Sequence, residues 1–89
     1  MVGFGVPVNR MPEAISLQVA RLLKEEREKR GISLNLLAQK ANVSRQTVAF
    51  IEQGVRNPTI NTLFRLTTAM DIEPEKIIAR ARKLAESAS

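Results

Sequence analysis

SLNLLAQKANVSRQTVAFIEQGVRNP, residues 33–58, holds two short helical patterns with room between them for nothing but a tight turn. The first starts at Ser33, whose hydroxyl can cap a helix, and puts Leu34, Leu37, Ala38 and Ala41 on one face at helical spacing. That face is predicted to be core. The second starts at Ser44, another capping hydroxyl, and turns Val48 and Ile51 inward while Arg45, Gln46, Ala49 and Phe50 fall largely on the other side. Asn42 stands where the chain reverses, and asparagine is among the few side chains that tolerate the left-handed backbone such a turn needs. Two helices meeting steeply across so short a turn make a helix-turn-helix.

The rest of the chain bounds what this motif can serve. A length of 89 residues suits one domain with a modest core. Aromatics are 3% of residues and aliphatics are plentiful, which favours a helical bundle over a sheet protein. With neither Cys nor His, disulfides, thiolate chemistry, an imidazole base and a transition-metal site are excluded, and no cofactor is expected. No apolar run reaches the roughly 18 residues of a membrane span, so cytoplasm is the expected compartment. The scattered Asp and Glu form no paired-carboxylate arrangement, and no phosphate-binding glycine loop is present, so the chain is not expected to be an enzyme. A net charge of +5 and a pI near 10.5 attract a polyanion before any specific contact forms. Between Lys40 and Arg65 the cations are Lys40, Arg45, Arg56 and Arg65, and Glu52 is the only acid.

Residues 1–12, MVGFGVPVNRMP, mix Gly and Pro with apolar residues and show no helical period. They read as an extended or disordered arm: a solvated tail, or a short strand formed by Val2, Phe4, Val6 and Val8 against a second subunit, or, as a less favoured alternative, a segment whose Arg10 reaches a DNA backbone or minor groove. Pro12 and Glu13 suit the first turn of helix 1, and Ile15, Val19, Leu22 and Leu23 form its apolar stripe. The charged run 21–30 reads as a solvated face laced by pairs such as Arg21 with Glu25 and Glu25 with Lys29. Arg27 differs. It lies four residues after Leu23 on the inward stripe, so its guanidinium demands a carboxylate, and Glu52, four after the inward Val48, is the candidate.

Gly31, Ser33, Leu37-Ala38, Val43-Ser44, Ile51-Glu52, Gly54 and Asn57-Pro58, followed by Leu63, Leu66 and Ala69, stand at the spacing of the Cro/lambda-repressor-like helix-turn-helix family, which the chain resembles from Leu22 to Ile78. The resemblance implies an all-α, compact five-helix bundle of the lambda-repressor-like type spanning residues 13–85, preceded by the arm and followed by a frayed tail, 86–89. It also implies that Arg27 and Glu52 pair to tie helix 1 to the recognition helix. The chain departs from the family after the capping serine, where a phosphate-gripping Gln is common and Leu34 stands here, followed by Asn35 and Leu36.

A major-groove reader needs matching donors and acceptors near its N-terminus. Arg45 presents a bidentate fork to guanine O6 and N7, and Gln46 to adenine N6 and N7. Ala49 leaves space for the groove wall, while Phe50 offers a thymine methyl an apolar plane or else joins a protein interface. Lys40, Ser44, Thr47, Arg56, Asn57 and Thr59 are expected at phosphates, with the amides at the start of helix 4 assisting. Ile60, Leu63, Leu66, Thr67 and Met70 form the inward stripe of helix 4, and Asp71 and Ile72 the next turn. Pro74 opens a last helix with Ile77, Ile78, Ala81, Leu84 and Ala85 on one side, where the apolar surplus around Leu84 points to a second subunit. The expected function is a sequence-specific, double-stranded-DNA-binding transcriptional regulator, a homodimer on an inverted repeat. The alternative is an antitoxin that binds a protein toxin and autoregulates through the same motif.

Overall fold

The computed structural model describes residues 7–87. After a single 3-10 turn, Val8–Arg10, come five helices: α1 (Met11–Lys29), α2 (Leu34–Ala41), α3 (Arg45–Glu52), α4 (Ile60–Ala69) and α5 (Pro74–Ser87). No strand occurs among the described residues, and the five-helix, all-α arrangement is the expected one.

Each junction from α1 to α5 is built in the same way. The chain leaves α1, α2, α3 and α4 through a left-handed residue, in turn Gly31, Asn42, Gly54 and Asp71, with φ of 65°, 58°, 75° and 58°. At all four the two amides following the helix bond back into its last turn. Val43 N–H donates to Ala38 O at 3.0 Å and Asn42 N–H to Gln39 O at 3.2 Å, and the pairs at Ile32/Gly31, Val55/Gly54 and Ile72/Asp71 repeat the pattern. Orphan carbonyls are thereby satisfied while the backbone turns sharply. At three of the four the next helix then starts on a hydroxyl, whereas α5 opens on Pro74. Ser33, Ser44 and Thr59 accept from the amides of Leu36, Thr47 and Thr62, each at 3.0 Å. A chain so punctuated has few ways to connect its helices, and α2 and α3 are forced into close packing.

The core is where those helices converge. α1 and α5 lie along one another, and α2 sits on both α3 and α4. Leu22, Leu23, Leu37, Val48, Ile51, Leu66 and Ile77 are all at most 1% exposed. Burying each such side chain is worth roughly 1.5–3 kcal/mol before chain entropy is subtracted. Thr67, fully buried on α4, donates its hydroxyl to Leu63 O at 2.9 Å, so its polar atom is satisfied inside its own helix.

Several expectations are corrected. α1 starts at Met11, inside the span assigned to the arm, and Val8 to Arg10 are already turned into a 3-10 step, so Val8 is not part of an extended strand; the rest of that alternation, Val2 to Val6, lies outside the described residues. Ile60, expected inward, is 65% exposed, because the first residue of α4 sits beyond the reach of the core. On α5 the buried line is Ile77, Ala81 and Ala85, and Ile78 faces outward together with Leu84, whose exposure is the expected one. Glu86 and Ser87 continue α5 rather than fraying. Neither Arg21–Glu25 nor Glu25–Lys29 is among the ion pairs of the described residues.

Candidate nucleic-acid interface

α3 is presented by an ion pair behind it. Arg27 Nε lies 2.7 Å from Glu52 Oε2, Arg27 Nη2 donates to Glu52 Oε1 at 3.0 Å, and Nη1 donates to the carbonyl of Ile32 at 2.9 Å. One guanidinium thus joins α1, the end of α3 and the linker into α2. The side chains are 12% and 5% exposed, so little water competes for the pair. Glu52 raises the Arg27 pKa above the ordinary arginine value, outweighing the opposing effect of burial. The two inward stripes had brought these residues together on paper, and they meet.

Across α3, Arg45 and Gln46 are exposed in its first turn. Behind them Ser44 Oγ and Thr47 Oγ1 stand 2.7 Å apart, so both hydroxyls are oriented by the cap before any ligand arrives. Ala49 is half-buried and lines a shallow cleft with Lys24, Arg27, Leu34, Glu52 and Gln53, beside the ion pair. Phe50 is half-buried as well. The Arg56 guanidinium carbon stacks 5.5 Å from its ring centroid, and the amides of Val55 and Arg56 both donate to Phe50 O. One face of that ring is therefore already covered, which the residue pattern did not show.

Arg56, Asn57 and Thr59 follow in the loop from α3 to α4, all exposed, with Thr59 Oγ1 donating to Thr62 Oγ1 at 2.9 Å. Lys40 stands apart from them, in the last turn of α2 against α4, where it lines a groove with Asn61, Phe64 and Arg65. The electrostatics of the α3 face follow from the ion pair. Glu52, the only acid from Lys40 to Arg65, is committed to Arg27, and among the described residues neither Arg45 nor Arg56 takes part in an ion pair.

A second buried carboxylate had not been anticipated. Glu26, 5% exposed, accepts from Arg30 at 2.6 Å, Arg80 at 3.1 Å and Lys29 at 3.3 Å. Arg30, opposed by desolvation and helped by Arg80 and Lys29, draws its pKa down from 4.5 to about 2. Arg30 Nε also donates to the carbonyl of Met70 at 3.0 Å, closing the end of α4 onto α1. The signal was present: Glu26 is four residues after Leu22, as Arg27 is after Leu23.

Comparison with known proteins settles the lineage. A helix-turn-helix family model matches residues 23–77, well over half of the chain. The chain belongs to the Cro/lambda-repressor-like helix-turn-helix family. A curated member, the HTH-type transcriptional regulator SutR of Escherichia coli K12, is 32% identical over 60 residues, 67% of this chain and 34% of that protein, so the chain spans about a third of that relative's length. Among solved members, the restriction-modification controller protein C.AhdI from Aeromonas hydrophila shares 33% identity with a TM-score of 0.66, over 68% of this chain and 92% of that one. SinR, a master regulator of biofilm formation solved in complex with DNA, shares 28% identity with a TM-score of 0.64, over 67% and 97%. The family match takes in the Arg27–Glu52 pair and every candidate contact from Lys40 to Thr59, and it ends at Ile77, so the outer part of α5 lies beyond it. No helix among the described residues is long and apolar enough to cross a membrane.

Proposed function

We propose that the protein is a sequence-specific, double-stranded-DNA-binding transcriptional regulator that inserts the N-terminal turn of α3 into the major groove. The observation that carries this reading is the pairing of exposed Arg45 and Gln46 with a rigid backing: the Ser44 cap fixes where α3 starts, and Arg27 holds its far end through Glu52. Arg45 and Gln46 are assigned to base edges, with Ala49 giving clearance and Phe50 acting only through the ring face that Arg56 leaves uncovered. Ser44, Thr47, Arg56, Asn57 and Thr59, with the first amides of α4, are assigned to phosphates, and Lys40, expected with them, is left out of the set because it lines the α2–α4 groove instead. Membership of a family whose solved members include a DNA complex supports the same reading.

One recognition helix reads few base pairs, so a homodimer on an inverted repeat with half-sites about 34 Å apart is the working assembly. Exposed apolar side chains are available for the contact: Val55 and Ile60 at the two ends of the α3–α4 loop, and Ile78 and Leu84 on α5. Selection of sites from random duplexes, repeated with Arg45→Ala and Gln46→Ala, tests the assignment. Each truncation is expected to cost about 1–3 kcal/mol and to relax preference at one position per half-site. Retention of the parent's preference by both variants would remove the two residues from the reading role.

A further inference from the structure

The surface between α2 and α4 differs in chemistry from the rest of the outside. Neither helix contains a single Asp or Glu, whereas α1 and α5 carry both signs of charge. In the groove between them, Phe64 is 46% exposed, flanked by Lys40 from α2 and Arg65 from its own helix, with Asn42, Asn61 and Thr68 completing the walls. No carboxylate lines it among the described residues. Arg65 is held in place, its Nε donating to Asn61 Oδ1 at 2.7 Å. Leu36, 40% exposed, sits one turn before Lys40 on the same stripe of α2, outside the groove itself. A large ring left in water between two cations, with no acid to pair either, lacks a partner that is both apolar and negative.

We propose that the Lys40–Phe64–Arg65 groove is a docking site for a short acidic, apolar segment of another protein, its carboxylates meeting Lys40 and Arg65 and its apolar side chain covering Phe64. Charge complementarity selects this occupant over a second copy of the chain. A self-associating face would place the two arginines and two lysines of paired grooves against each other with no acid between them. Position selects it over the duplex. Asn42 and Asn61 form the end of the groove nearest the assigned phosphate set, while Phe64, Arg65 and Thr68 lie five, six and nine residues along α4 from Thr59, roughly 7 to 13 Å from its amide end, so the apolar centre of the groove runs away from the α3 face. A regulator so equipped holds DNA with one surface and a protein partner with another.

The test uses the full chain and a short fluorescein-labelled peptide of alternating aspartate and leucine, with versions carrying lysine for aspartate or serine for leucine as controls. Amide shifts in the wild-type protein are expected to concentrate at Lys40–Asn42 and Asn61–Ala69. Phe64→Ala and Arg65→Glu should each weaken the peptide about tenfold, as expected of residues at the centre of an interface, with duplex binding unchanged. Both side chains are exposed, and thermal melting checks that the variants stay folded. Shifts centred on Arg45 and Arg56, competition by duplex DNA, equal binding of the serine control, or absence of saturable binding would each overturn the proposal. So would a duplex titration that itself perturbs the groove, since the surface would then be part of the DNA footprint.

Discussion

Arg80 on α5 reaches back 54 residues to Glu26 on α1, its Nη1 3.1 Å from Oε2 of a carboxylate that is 7% exposed. With Arg30 and Lys29 on the same group, this contact is the ionic fastening of the last helix, and it sets how the protein responds to acid. Glu26 has a folded pKa of about 2 against 4.5 in the unfolded chain, so the fold favours the ionised form. The stability it contributes is complete above about pH 4.5 and is lost as pH falls from there toward 2. The full shift would correspond to about 3 kcal/mol, and solvent around the half-exposed Arg80 and the more exposed Lys29 reduces this to about 2 kcal/mol. Urea unfolding of the wild type between pH 6 and pH 2.5 should show that loss. Glu26→Gln should flatten the dependence, and an unchanged slope would mean that other carboxylates carry it.

The Arg27–Glu52 pair makes a separate prediction. Glu52→Ala leaves a guanidinium that is 12% exposed without its carboxylate, at a cost of about 3 kcal/mol. Arg27→Met combined with Glu52→Leu should recover most of that loss, because the desolvation of both charges is removed together. Denaturant midpoints for Arg27→Met, Glu52→Leu and the double variant close the cycle, and additive effects would show that the pair is not coupled.

Asn42 tests the turn. Its φ of 58° is strained for a β-branched residue, so Asn42→Val should destabilise by about 1–2 kcal/mol, whereas Asn42→Gly should stay within about 0.5 kcal/mol of the parent. Equal losses would mean that the asparagine amide, and not the backbone angle, is what the position needs.

Salt dependence tests the proposed phosphate set. A two-subunit complex in which each subunit brings Arg56, and with it Arg45, to the duplex neutralises about two to four phosphate charges and should show a slope of log affinity on log salt of about −2 to −4. Arg56→Ala should weaken binding to all sequences alike and reduce that slope, since it removes a charge from both half-sites. A flat response would argue against the phosphate assignments as a group.

The fold was readable because its information is local. Left-handed backbone at Gly31, Asn42 and Gly54, and capping hydroxyls at Ser33, Ser44 and Thr59, are each decided by residues a few positions apart. The Arg27–Glu52 pair was readable for a related reason, since two charges on inward stripes have few partners to choose from. What escaped needed three dimensions. One partner of Glu26, Arg80, lies on α5, and within the charged run the i,i+4 rule favours the solvated Arg21–Glu25–Lys29 series over the Glu26–Arg30 pair facing the bundle. Stacking of Arg56 on Phe50 depends on how the α3–α4 loop folds back, and the exposure of Ile60 on how deeply the first turn of α4 enters the core. In the site, the pattern supplied which side chains face outward on α3, and the structure added which of their atoms were already engaged.

Past the end of the family match, α5 is held to α1 by two alanine methyl groups, Ala81 and Ala85, and by Arg80 on its acid. The outward side of that helix, with Ile78 and Leu84 on it, takes no part in this packing and is open to rewriting by mutation at little cost to the bundle beneath. In the proposed homodimer, varying that strip alone would keep several such proteins in one cell from forming mixed pairs, leaving the face assigned to nucleic acid untouched.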